Sequence, residues 1–136
     1  MGRLSGTIHP TLYGGDRRLD GQLKRGSVVT VAALGDYGKL RPAVVVQSDF
    51  FREHPSITLC LITSDLRDTP RFRLTVHPSP ENGLQRPSQI MVDKIMTVSR
   101  DKMRDVIGRL DDKTMVEVNR TLALWVVLVN LLLPHC

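Results

Sequence analysis

Apolar positions along the chain change period from segment to segment, and each period predicts an element. Val28, Val29 and Val31 form a β-branched cluster that leads into Leu34-Gly35-Asp36-Tyr37-Gly38-Lys39, a loop whose two glycines permit positive φ. Leu40–Gln47, with Ala43-Val44-Val45-Val46 at its centre, reads as a buried strand, so these segments predict a hairpin with a long tip. Ser48–His54 offers an N-cap and a short helix that Pro55 stops. Ile57–Ile62 is continuously apolar, as a central strand is, and ends in the polar triplet Thr63-Ser64-Asp65.

Arg71–Val76 alternates strictly, with Phe72, Leu74 and Val76 on one face and Arg71, Arg73 and Thr75 on the other, which predicts a half-exposed strand. His77–Gly83 has the residues of a turn, and Ser88–Ser99 resumes β character around a polar break at Asp93-Lys94. Met103–Leu110 is ambiguous and reads as a turn of helix and a short strand. The final element is a helix. Asp111 or Asp112 can cap it, Thr114 and Glu117 have capping-box spacing, and Met115, Val118, Leu122, Trp125, Val129 and Leu132 recur every three or four residues. Its second half adds Leu124, Val126, Val127, Leu128 and Leu131, so nearly the whole circumference is apolar there. Exposing several such side chains forfeits about 1.5–3 kcal/mol each, and burial between two copies of the chain avoids that loss.

At 136 residues the chain is sized for one core, which suggests a leader over 1–25 and one domain over 26–136. The net charge of +5 is concentrated at the start: residues 1–25 hold five basic and two acidic side chains, leaving a weakly basic domain of +2. Such a body suits a partner touched at a few phosphates, and equally suits plain solubility. Two cysteines, Cys60 and Cys136, are too few for a disulfide framework, and the first residues lack the apolar stretch of a secretion signal. A cytoplasmic protein is expected. Leu122–Leu133 covers about 18 Å as a helix, short of the roughly 30 Å hydrocarbon layer, so no membrane span is expected.

His9, His54, His77 and His135 have no ligand spacing among themselves or with cysteine, and the acids do not cluster, so neither metal nor cofactor is expected. Arg41 opens a strand before Pro42, where the pre-proline restriction helps aim its side chain. Thr63 and Ser64 end the central strand. By residue type alone, Arg41 fits both an anion-binding group and a strand-end partner for a nearby acid, and Thr63-Ser64 fits both a site and an ordinary solvated strand end.

Gly26-Ser27-Val28-Val29, then Lys39-Leu40-Arg41-Pro42-Ala43-Val44-Val45-Val46-Gln47-Ser48-Asp49, then Leu61-Ile62-Thr63-Ser64, resembles the MazF/PemK/Kid toxins of type II toxin–antitoxin systems over roughly residues 25–133. The resemblance implies a mostly β, α+β fold: a small twisted SH3-like barrel of about five to seven strands, a short helix after the second strand and a long C-terminal helix. It implies a homodimer that cleaves single-stranded RNA without a metal, leaving a 2′,3′-cyclic phosphate and a 5′-hydroxyl, and that is silenced by an antitoxin. The family's catalytic arginine and threonine fall on Arg41 and Thr63. An arginine fork can bind two oxygens of the crowded phosphoryl group while a hydroxyl donates to it.

Some members of that family add an aspartate with an arginine two positions earlier. The aspartate matches Asp93, but Met91 stands where the arginine would be and Lys94 where glutamine is frequent, so Asp93 is an auxiliary candidate and Lys94 a phosphate contact. Tyr37 and Lys39 lie in the loop that helps set cleavage sequence in such toxins, suited to stacking a base and meeting a phosphate. Ser64 and Gln47 complete the auxiliary or RNA-binding set. Two rivals remain at this point: a gyrase poison like CcdB, although the Trp-Gly-Ile end of those proteins is replaced here by Leu132-Leu133-Pro134-His135-Cys136, and a non-catalytic SH3-like binding module.

Overall fold

A computed structural model describes residues 23–32, 39–69 and 71–127. The apolar runs become six antiparallel strands: β1 Ser27–Ala32, β2 Leu40–Val45, β3 Ser56–Thr63, β4 Arg73–Val76, β5 Ser88–Ser99 and β6 Met103–Arg109, ordered β4-β5-β3-β2-β1-β6 in one sheet. A helix, α1 (Asp112–Trp125), follows. The fold is mostly β with one C-terminal helix.

The central strands are apolar on both faces because each face has its own core. One core joins Val28, Val44, Cys60, Ile62, Ile90 and Val92 to Met115 and Val118 of α1. The other gathers Val29, Val31, Ala43, Val45, Leu59 and Met103, and Leu23, only 4% exposed, packs into it from ahead of β1. Residues buried on both sides of a pleated strand leave no room for polar alternation, which is why these runs read as continuous.

The sheet is open, with β4 and β6 at its edges. Its edges are nevertheless bridged. The turn before β5 is held by Asn82, whose Oδ1 accepts from Ser79 N and Leu84 N and whose Nδ2 donates to His77 O. It leans on β6, where Arg109 N donates to Glu81 O at 2.8 Å. Gly83, at φ +71°, and Gly108 make this approach possible: a Cβ on Gly83 would stand 2.1 Å from Ile107 O, and one on Gly108 2.3 Å from the Asn82 carbonyl carbon.

Several elements differ from their sequence expectation. In place of the short helix after β2 there is a single 3₁₀ turn, Asp49–Phe51, capped by Ser48 Oγ accepting from Phe50 N. Only i→i+3 bonds form, from Phe51 N, Arg52 N and His54 N, because Pro55 and the start of β3 leave no length for an α-helix. β4 begins at Arg73 rather than Arg71, since Phe72 N and Arg73 N both turn back to Thr69 O. The polar break at Asp93-Lys94 does not divide β5. It is absorbed by a bulge in which the step Cys60–Ile62 on β3 faces the longer step Ile90–Ile95 on β5.

Met103–Arg109 is a strand, resolving that ambiguity. Asp111 is the helix cap, accepting from Thr114 N at 2.7 Å, whereas Glu117 pairs with Arg120 instead of closing a capping box. The helix ends at Trp125, followed by Val127 at φ 63°. Leu124, Trp125, Val126 and Val127 are half or more exposed or nearly so, and Val129, Leu131 and Leu132 lie outside the described residues. Among the described residues no helix is long and apolar enough to cross a membrane.

Candidate active site

β2 and β3 run antiparallel with Ala43 opposite Leu61, Val44 opposite Cys60 and Val45 opposite Leu59. Carried two residues further, this register sets Arg41 across from Thr63 on the same face of the sheet, a separation that side chains of this length span. The hydrogen-bonded ladder stops at Ala43 and Leu61, and beyond it the two side chains border a cleft of about 400 Å³.

The cleft has a cationic rim and an apolar floor. Lys39, Arg41 and Arg86 line it together with Thr63, Ser64 and Gln85, over Pro42, Ile62, Leu84 and Ile107. Arg41 is half-buried, while Lys39 and Arg86 are exposed. No acidic side chain is among the described residues that line it. Three cations line one hollow, which favours an anion there, and the partial shielding of Arg41 strengthens its share of that field.

Thr63 is oriented by the turn that it begins. Its Oγ1 accepts from Asp65 N at 3.0 Å, which occupies one lone pair and leaves the O–H to donate. Asp65 pairs with Arg67 at 3.0 Å, an exposed contact of small energetic weight. The turn then closes on Gln89, which accepts from Arg67 N at 2.9 Å and donates to Arg67 O at 2.8 Å.

Of the residues singled out in the sequence, Arg41, Thr63, Ser64 and Lys39 meet at this cleft. Tyr37 lies outside the described residues. Gln47 lies beyond the other end of β2, roughly 20 Å away along the strand, where it braces the β2–β3 connection by donating to Phe51 O and Ser56 O and accepting from Thr58 N. Asp93 and Lys94 are on the β5 bulge and do not line the cleft. Lys94 is exposed, and Asp93 is half-buried with its Oδ1 lacking a hydrogen-bond partner.

Arg86, Gln85 and Gln89 escaped sequence reasoning. They follow a turn with no motif of their own, and only the placement of β5 beside β3 brings them to Thr63. Cys60, the described cysteine, is no rival nucleophile: it is fully buried, and burial, with a smaller push from the Asp93 charge against the pull of Arg25, raises its thiol to about 12. Among the described residues no group of three or more His, Cys, Asp and Glu side chains is arranged to hold a metal ion.

Residues 24–126 match the family described as PemK-like, MazF-like toxin of type II toxin–antitoxin system. The chain is 38% identical over 101 residues to the probable endoribonuclease MazF of Mycolicibacterium smegmatis, which covers 74% of this chain and 93% of that relative. It is 27% identical over 116 residues to endoribonuclease EndoA of Bacillus subtilis, covering 79% and 97%. Among solved structures, the Mycobacterium tuberculosis toxin MazF-mt6 superposes with TM-score 0.62 at 20% identity, covering 71% of this chain and 92% of that one. An endoribonuclease in complex with its cognate antitoxin from a mycobacterial species superposes with TM-score 0.61 at 24% identity, covering 74% and 91%.

Proposed function

The chain belongs to the PemK-like, MazF-like toxins of type II toxin–antitoxin systems, and from that premise we propose how its cleft carries out the endoribonuclease activity for which its relatives are named. The observation that carries the reading is the meeting of Arg41, Thr63 and two further cations, Lys39 and Arg86, on one cleft.

Single-stranded RNA enters with a scissile phosphate against Arg41. The ribose 2′-oxygen attacks the adjacent phosphorus as its proton leaves, the bond from phosphorus to the 5′-oxygen breaks, and that oxygen gains a proton. The products are a 2′,3′-cyclic phosphate and a 5′-hydroxyl. Negative charge grows on the non-bridging oxygens during attack. The Arg41 guanidinium binds two of them and the Thr63 hydroxyl donates to one, so both contacts strengthen as the transition state forms. Lys39, Arg86 and Ser64 hold the strand on either side, and a base rests on the apolar floor. Asp93 and Lys94 are auxiliary at most, and Gln47 supports the fold.

The names of the relatives favour cleavage over the gyrase-poison and binding-module readings. The antitoxin partner is an acidic segment laid in the same cationic cleft, in keeping with the antitoxin complex among the similar structures. The toxin acts in the cytoplasm, where its RNA substrate is. A homodimer covers the exposed apolar end of α1, with Leu124 66% and Trp125 47% exposed. Sedimentation at micromolar concentration is expected to give a dimer, and a monomer would count against it.

The activity is tested by incubating the full chain with end-labelled single-stranded RNA in EDTA. Discrete fragments bearing a 2′,3′-cyclic phosphate are expected. Fragments with 5′-phosphate ends would overturn the chemistry, and intact RNA across varied sequences would overturn the nuclease reading.

A further inference from the structure

Gln89 is an amide placed where an apolar side chain would be expected. It is the second residue of β5, 6% exposed, and is followed along the strand by Ile90, Met91 and Val92, all buried. It is the cross-strand partner of Thr63 on one side and of Thr75 on the other. Polar side chains in such positions are kept only when their hydrogen bonds are met, and here they are: Oε1 accepts from Arg67 N at 2.9 Å, and Nε2 donates to Arg67 O at 2.8 Å and to Thr75 Oγ1 at 3.3 Å.

The amide therefore grips both backbone groups of one residue, a two-point contact that fixes the direction as well as the position of the chain at Arg67. The other end of the same short segment is Thr63, whose Oγ1 is tied to Asp65 N. Between these two attachments the segment 63–67 has little freedom left. The direction of the Thr63 O–H depends on where Asp65 N stands, and that depends on where Arg67 is held.

We propose that Gln89 is a positioning residue for RNA cleavage: through the turn 63–67 it sets the Thr63 hydroxyl toward the phosphate held by Arg41. It touches no substrate and does not line the cleft. The inference rests on the reading of Thr63 given above and adds a residue for which neither the motif nor the cleft lining calls. Misdirecting a hydroxyl by a fraction of an ångström weakens its donation to the transition state far more than it weakens ground-state binding of a long RNA strand.

The test is a double-mutant cycle between Gln89→Met and Thr63→Ala, reading kcat and KM on one cleaved RNA at a temperature well below each variant's melting point. Gln89→Met alone is expected to lower kcat about tenfold with KM changed by less than about twofold. In the Thr63→Ala background it is expected to lower kcat by no more than about twofold, because the hydroxyl it positions is already gone. Gln89→Glu, which keeps the shape and the accepted bond but cannot donate to Arg67 O when ionised, is expected to behave like Gln89→Met and carries the test if that variant does not fold. An unchanged kcat in the Gln89 variants, or an equal loss in both backgrounds, would overturn the inference. Failure of the parent to cleave, or full activity of Thr63→Ala, would instead overturn the reading on which it rests.

Discussion

Arg41 and Thr63 enter one cleft from neighbouring antiparallel strands, set across from each other by a register that runs from Val45–Leu59 through Ala43–Leu61. Their relationship is a property of the fold. The buried pairs between them and the hairpin's far end permit no slip, because a one-residue shift would drive Ala43, Val45 and Leu59 out of one core and Val44 and Cys60 out of the other. The same packing that stabilises the sheet thus holds a guanidinium and a hydroxyl at a fixed separation.

Arg86 is expected to contribute one phosphate contact. Measured on a 2′-O-methyl single strand, which lacks the attacking hydroxyl, Arg86→Gln should reduce the slope of log K against log salt by about 0.7 and weaken binding roughly fivefold at 0.1 M salt. An unchanged slope would remove Arg86 from the binding surface.

The close approach of the turn at Glu81–Gly83 to β6 at Ile107–Gly108 should be sensitive to a single methyl group. Alanine at Gly83 or at Gly108 would press a Cβ onto backbone atoms, which cannot swing aside as a side-chain tip can. Gly83→Ala and Gly108→Ala are each expected to destabilise the chain by at least about 2 kcal/mol in urea unfolding, with Gly83→Ala the worse because of its positive φ. A loss below about 0.5 kcal/mol would mean that the turn and β6 part easily.

Cys60 should be inert while the protein is folded. With its thiol raised to about 12, it stays protonated near pH 8, and in a Cys136→Ser background alkylation by iodoacetamide should be blocked until denaturant is added. The folded pKa lies above the unfolded one, so the folded state holds the proton more tightly. Its contribution to stability is full below about pH 9 and declines as pH rises from there toward 12. Rapid native labelling at pH 8 would contradict this burial.

Much of the fold was legible because its signals are local. The β-branched runs around Val29, Val45 and Leu59 specify strands buried on both faces, and the spacing of Met115, Val118 and Leu122 specifies the helix and the side it buries. What was not legible depends on partners distant in sequence. Asp93-Lys94 looked like an interruption because nothing in those two residues announces that β3 can be matched by a bulge. Ser48–His54 reads as a short helix, yet it forms a 3₁₀ turn too short to bury Phe50 and Phe51, which are 86% and 55% exposed. The site divides in the same way. Arg41, Thr63, Ser64 and Lys39 were marked by a motif, whereas Arg86 and Gln89 acquire meaning only once β5 lies beside β3.

The central claim is that the Arg41 guanidinium stabilises the phosphoryl group during cleavage. Its most direct test is the single-turnover cleavage rate of Arg41→Ala beside the parent on the same labelled RNA in EDTA, with the melting temperature and sedimentation of both proteins recorded. A rate at least about 100-fold lower, in a protein that melts and sediments like the parent, is the predicted result. Cleavage by Arg41→Ala at a rate near the parent's would contradict the account.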